Sequence, residues 1–145
     1  MWLPQTAEYA LRAMAALCAV EGKDALRASE ISERTDVPVA YLSKVLRRLV
    51  VAGLVEARRG HGGGFTLARP ARKIQVAEVL AAVDVNLGAK RCAFGWSACS
   101  DEHPCPLHPI WRELRERLRT WSEGTRLDQV GPAEPPEPPA PPASR

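Results

Sequence analysis

Between Arg58 and Phe65, four of six residues are glycine, in the order Arg59-Gly60-His61-Gly62-Gly63-Gly64. Each glycine in a helix interior costs about 1 kcal/mol relative to alanine, so no helix crosses this run. Six residues are also too few for a domain linker. The flanks, Leu54-Val55-Glu56-Ala57-Arg58 and Phe65-Thr66-Leu67-Ala68, read as a strand and its return, which makes the glycines the tip of a β-hairpin. A phosphate-binding loop would need Lys-Ser or Lys-Thr opening a helix after the glycines, and neither follows.

What precedes the hairpin gives it a role. Residues 6–21 carry Ala10, Leu11, Met14, Leu17, Cys18 and Val20 at helical spacing, with Gly22 as a stop. Cys18 sits on that apolar stripe and reads as a structural thiol. The extended piece Ala25-Leu26-Arg27 leads to a helix over 29–35, whose apolar face is little more than Ile31. A turn at Asp36-Val37-Pro38 opens a third helix over 39–52. There Tyr41, Leu42, Val45, Leu46 and Leu49 are expected inward, leaving Ala40, Ser43, Lys44, Arg47 and Arg48 outside. Two short helices, a tight turn and a basic outer face form a helix-turn-helix, and the hairpin directly after it is a wing.

Charge follows the same division. From Lys44 to Lys73 the chain carries eight basic residues against one acid, Glu56, whereas residues 81–130 carry seven of each sign. A positive surface confined to one segment suits a phosphate backbone. The residues expected at a double-stranded DNA operator are Ala40, Tyr41, Ser43, Lys44, Arg47 and Arg48 on the helix, with Arg58, Arg59 and His61 on the wing. Arg59, at the shoulder, is placed to enter a minor groove.

Beyond Pro70 a fourth helix is expected from Ile74 to about Val85. Residues 89–108 form a cysteine-rich loop, and Pro109 opens a last helix drawn here to residue 130. Its Trp111, Leu114, Leu118 and Trp121 make a narrow apolar seam among Arg and Glu, which suits pairing with a second copy. In residues 131–145, seven of fifteen are proline, a tail that cannot bury a core. Residues 1–88 are then the DNA-binding domain. The fold class is mainly α with a small β-hairpin: a winged helix-turn-helix plus a long C-terminal dimerisation helix. No signal peptide or membrane span is legible, so the cytoplasm is the expected compartment.

The loop is spaced Cys92-x6-Cys99-x5-Cys105-x2-His108. In a reducing compartment, clustered thiols point to metal or redox chemistry before disulfides. Zinc sites usually draw cysteines in pairs two to four residues apart, and no pair here is that close. Longer intervals suit an iron–sulfur cluster, whose thiolates address more than one iron. Spacing leaves zinc open. No nucleophile–base pair and no nucleotide loop supports an enzyme.

Several of these segments together resemble the IscR/NsrR-type iron–sulfur transcriptional regulators, dimeric winged-helix proteins of bacteria. They are Thr6-Ala7-Glu8-Tyr9-Ala10-Leu11-Arg12-Ala13, Glu30-Ile31-Ser32-Glu33-Arg34, Tyr41-Leu42, the glycine wing through Phe65, and the three-cysteine loop. The resemblance runs from Met1 to about Val130. It implies a cluster on Cys92, Cys99 and Cys105, [2Fe–2S] first and [4Fe–4S] second. The fourth ligand it implies is either His108, three residues after the last cysteine, or Glu8 from the partner subunit, with His103 a weaker third. It further implies a homodimer on a pseudo-palindromic operator, with affinity set by cluster, redox or nitric oxide status. A zinc-bound or thiol-redox repressor is the alternative, with a cluster-assembly protein or an enzyme last. Two departures stand out: the first cysteine interval is six residues where five is more usual, and the recognition helix lacks the glutamate that IscR-like proteins carry.

Overall fold

The computed structural model describes residues 3–87, 92–96 and 100–131. Its helices are α1 (Gln5–Ala19), α2 (Ala28–Thr35), α3 (Val39–Val51), α4 (Val76–Ala82) and α5 (His108–Gly124), with a two-stranded sheet of β1 (Val55–Arg58) and β2 (Gly64–Leu67). Short 3-10 turns occupy Ala71–Lys73 and Leu127–Gln129.

The hub is α1. Ala7, Ala10, Ala13, Met14 and Leu17 are all buried, and the run of alanines lets neighbouring backbones approach closely. Around it pack α2, α3, α4 and β2. Ile31 from α2, Leu42, Val45, Leu46 and Leu49 from α3, and Val76, Val79 and Leu80 from α4 complete one core. The turn between α2 and α3 is tied locally: the Ser32 hydroxyl donates to the Val37 carbonyl at 2.7 Å, and Asp36 takes the left-handed conformation. Proline at 38 cannot donate, so it stands at the N-cap of α3, where no donor is missed.

The hairpin forms as the glycines require. Val55 pairs with Leu67 and Arg58 with Gly64 in an antiparallel register. Leu26 adds a bridge on the far edge through Phe65, donating to its carbonyl at 3.1 Å and accepting from its amide at 2.7 Å. This close approach is why residue 64 is glycine. It has φ +145, and a Cβ there would sit 2.5 Å from the Leu26 carbonyl oxygen.

Three sequence expectations need correction. The helix expected over Ile74–Val85 is shorter, Val76–Ala82, preceded by a 3-10 turn. Gln75 caps it instead of belonging to it, its amide donating to Glu78 at 2.9 Å. Tyr41, expected inward, is exposed and meets the Tyr9 ring at 6.1 Å. The last helix does not reach residue 130. It stops at Gly124, and Thr125 turns extended. The chain then returns to the N-terminal core: Val76 donates to the Thr125 carbonyl at 2.9 Å, Leu127 donates to Ile74 at 2.8 Å, and the Leu127 side chain is fully buried. Burying that leucine requires the chain to turn back, so a continuous helix could not persist.

Candidate functional site

The outer face of α3 is built as the sequence suggests. Ala40, Tyr41, Ser43, Lys44, Arg47 and Arg48 are all exposed, and so are Arg58, Arg59 and His61 on the wing. The Ser43 hydroxyl donates back to the Val39 carbonyl at 2.9 Å, leaving its lone pairs outward. Helix and wing therefore both expose basic side chains. Two members are already engaged: Arg48 pairs with Asp84 at 3.1 Å and Arg58 with Glu56 at 4.0 Å. Between α1, α3 and the end of α4 lies a groove of about 640 Å³, lined by Tyr9, Tyr41, Val45 and Val51 beside Lys44, Arg47 and Arg48.

The loop site is partly visible. Cys99 lies outside the described residues. Cys92 is buried and Cys105 half-buried, with their Sγ atoms 4.0 Å apart. That is far beyond a disulfide bond and close to the roughly 3.8 Å separating two thiolates on one tetrahedral ion with 2.3 Å bonds. His108 begins α5, its amide donating to the Cys105 carbonyl at 2.9 Å, and the residue is only 6% exposed. Its Nε2 lies 2.8 Å from Asp101 Oδ1. An ionised carboxylate only accepts, so Nε2 carries the proton in this contact. Arg112 reaches the same oxygen at 3.1 Å. The hydrogen bond with His108 and the nearby Arg112 guanidinium hold the Asp101 carboxyl below its usual range.

Other residues of the loop face outward. His103 is exposed, while its amide and that of Glu102 donate to the Ser100 hydroxyl. Phe94 and Trp96 stack at 5.4 Å with both rings exposed. Glu8 is half-buried in the first turn of α1. Among the described residues, no group of three or more His, Cys, Asp or Glu converges as for a metal ion, Cys99 being outside that set.

Sequence reasoning missed Asp101 and Asp84. Asp101 precedes His108 by seven positions across a loop, and Asp84 meets Arg48 only through the packing of α4 on α3. No spacing rule links either pair. Along α5, Ile110 is 74% exposed, Leu114 46% and Trp121 44%, while Trp111 and Leu118 are half-buried. Only Ser122 and His108 of this helix are buried. Of the seam expected from sequence, Leu114 and Trp121 are exposed and Trp111 and Leu118 only half so. Among the described residues no helix is long and apolar enough to cross a membrane.

Comparison with known proteins is consistent with this geometry. The Rrf2 family, described as an iron-dependent transcriptional regulator, matches residues 3–132. The chain is 39% identical over 132 residues to the HTH-type transcriptional regulator IscR of Xenorhabdus nematophila, covering 90% of this chain and 79% of that one. It is 37% identical over 118 residues to IscR of Klebsiella pneumoniae (strain 342), covering 81% and 72%. Among solved structures, CymR, the global cysteine regulator of B. subtilis, superposes with a TM-score of 0.76 at 20% identity, over 90% of this chain and 95% of that one. T. potens IscR gives a TM-score of 0.72 at 22% identity, over 92% and 89%. At these identities, likeness to the solved structures speaks for the fold alone.

Proposed function

From the premise that this chain belongs to the Rrf2 family and is an IscR-type transcriptional regulator rather than an enzyme, we propose that it is a homodimeric, cytoplasmic iron–sulfur sensor. In this reading Cys92, Cys99, Cys105 and His108 hold a [2Fe–2S] cluster, with [4Fe–4S] the second choice and Glu8 of the partner subunit the second choice of fourth ligand. The observation that carries it is the pair of sulfurs 4.0 Å apart, followed in the same loop by a buried histidine at the first position of α5. Asp101 supports the histidine, because a ligating imidazole usually gives its other ring N–H to a carboxylate, which fixes the tautomer and the ring plane. When bound, the cluster supplies a centre whose gain, loss or oxidation changes the charge and span of the loop.

The chain's own residues then carry that change outward. His108 is both a candidate ligand and the first residue of α5, so displacement at the ligand becomes displacement of the helix. Near its other end α5 packs on α4 with Ser122 buried, and its exposed seam of Ile110, Leu114 and Trp121 pairs with a second copy. A two-fold dimer presents two recognition helices to half-sites roughly one helical turn apart, so a shift at α5 alters their spacing. Lys44 and Arg47 on α3, with Arg59 on the wing, supply phosphate and base contacts to a double-stranded operator.

Anaerobic purification with a visible absorption spectrum and counts of iron and sulfide per chain tests the cofactor. A brown protein with matched iron and sulfide is expected. His108→Ala should then lower iron retention by more than the roughly ten- to a hundredfold that losing an outer-shell partner costs, and Glu8→Ala should leave it unchanged. A colourless chain containing zinc, or a metal-free chain that responds to oxidant, would replace the cluster by the zinc or thiol-switch reading.

A further inference from the structure

The basic residues of α3 are not equally available to a partner. Lys44 and Arg47 form no ion pair with any described residue, whereas Arg48 Nη1 lies 3.1 Å from Asp84 Oδ2. Asp84 follows α4 directly and has φ +64, one of two non-glycine residues with positive φ among those described. Its amide donates to Ala81 at 3.1 Å, and the next amide, Val85, donates to Leu80 at 2.9 Å. Buried Val83 precedes it and half-buried Val85 follows. The backbone is thus fixed on both sides and the carboxylate stands out toward α3.

Two physical costs make this carboxylate conspicuous. A left-handed backbone at a non-glycine residue costs roughly 1–2 kcal/mol, least for Asp and Asn. A negative charge beside a DNA-reading helix also repels phosphate. Stability does not account for it, since an exposed ion pair such as this one, with side chains 47% and 85% exposed, contributes about 0–1 kcal/mol.

We propose that Asp84 is a positioning residue for DNA binding: it holds the Arg48 guanidinium against the end of α4 and withholds one positive charge from the phosphate backbone. This rests on the DNA-binding reading above. It deepens that reading by dividing the cations of α3 into two offered outright and one held back. Asp84 stands eight positions before Cys92, at the root of the ligand loop.

Salt-dependent binding of a labelled mixed-sequence duplex to the full chain tests it, because the slope of log K against log salt changes by about 0.9 per phosphate neutralised. Asp84→Asn removes the charge and tolerates the left-handed backbone. Its slope should steepen by about 0.9 per subunit, about 1.8 for a two-fold dimer on one site, with tighter binding at low salt. Asp84→Gly, which adopts the same backbone freely, should do the same, so the test does not depend on one variant folding. The double variant Asp84→Asn/Arg48→Ala should lose the gain that Asp84→Asn shows. An unchanged slope in both Asp84 variants overturns the proposal. A gain that persists without Arg48 also overturns it, because the carboxylate would then act by general repulsion. Wild-type protein that binds no duplex at any salt removes the DNA-binding premise, and the proposal with it. That result differs from wild-type binding with unresponsive Asp84 variants.

Discussion

The two ends of this chain are held by different means. α1 buries seven of its fifteen residues, and α3 adds Leu42, Val45, Leu46 and Leu49 to the same core. α5, with seventeen residues, buries only His108 and Ser122. Its surface carries Arg117 on Glu113 and Arg119 on Glu116 and Glu123, and these pairs one turn apart support the helix without packing it. The first region is specified by burial within one chain. The second has a complete helix but an apolar seam left outside and a ligand set that burial alone does not fix. A segment this thinly packed depends on what it meets, and the metal and the second copy proposed here would supply that.

The sharpest way to break the contrast is to cut the core on both sides of it. Leu46→Ala, at a fully buried position on α3, should cost about 2–5 kcal/mol in chemical unfolding. Leu127→Ala should cost as much, although Leu127 lies beyond α5, because its side chain fills the same core and its amide is bonded to Ile74. If Leu127→Ala unfolds at wild-type denaturant, the return of the chain contributes nothing. α5 would then be tethered only through α4.

Trp121→Ala probes the other side of the comparison. The ring is 44% exposed in the single chain, so monomer stability should change by less than about 1 kcal/mol. If the seam is the dimer interface, the same change should raise the dimer dissociation constant tenfold or more, since buried tryptophans at interface centres contribute about 2 kcal/mol or more. Sedimentation of both proteins over a concentration series reads this directly. Equal dissociation constants would leave α5 without the partner assigned to it.

The same contrast explains what was legible in the sequence. Leu42, Val45, Leu46 and Leu49 repeat at helical spacing and are buried as read, and the glycine run dictated the hairpin because few other local structures accept it. Tyr41 fell on the same spacing but lies at the edge of the stripe, where a phenol reaches solvent and the Tyr9 ring. Helix periodicity ran α5 too far because the end is set by Leu127 finding a pocket beside Ile74, a contact across more than fifty residues of chain. The candidate ligands were legible as chemistry, from thiols in a short loop. Asp101 and Asp84 were not, because each acts on a residue that only tertiary packing brings near.

The smallest effect expected concerns the one ion pair that ties the wing's exit to α4. Burial pulls the Glu78 carboxyl upward, but the Gln75 amide and the Arg69 guanidinium, 2.7 Å away, outweigh it and leave the group below its usual range. A carboxylate whose folded pKa is depressed adds stability above its unfolded value, about 4.3. That contribution is lost as pH falls through the lower folded value. Glu78→Gln keeps an acceptor for the Gln75 amide and removes the charge, so it should flatten stability against pH in the acid range below about 4.3 and leave the cap intact. Both side chains are more than a third exposed, so the loss near neutral pH should stay within about 0.2–1 kcal/mol. If Glu78→Gln leaves the acid profile where the wild type has it, the charge at Glu78 contributes nothing, and the N-terminal core owes its order to apolar burial alone.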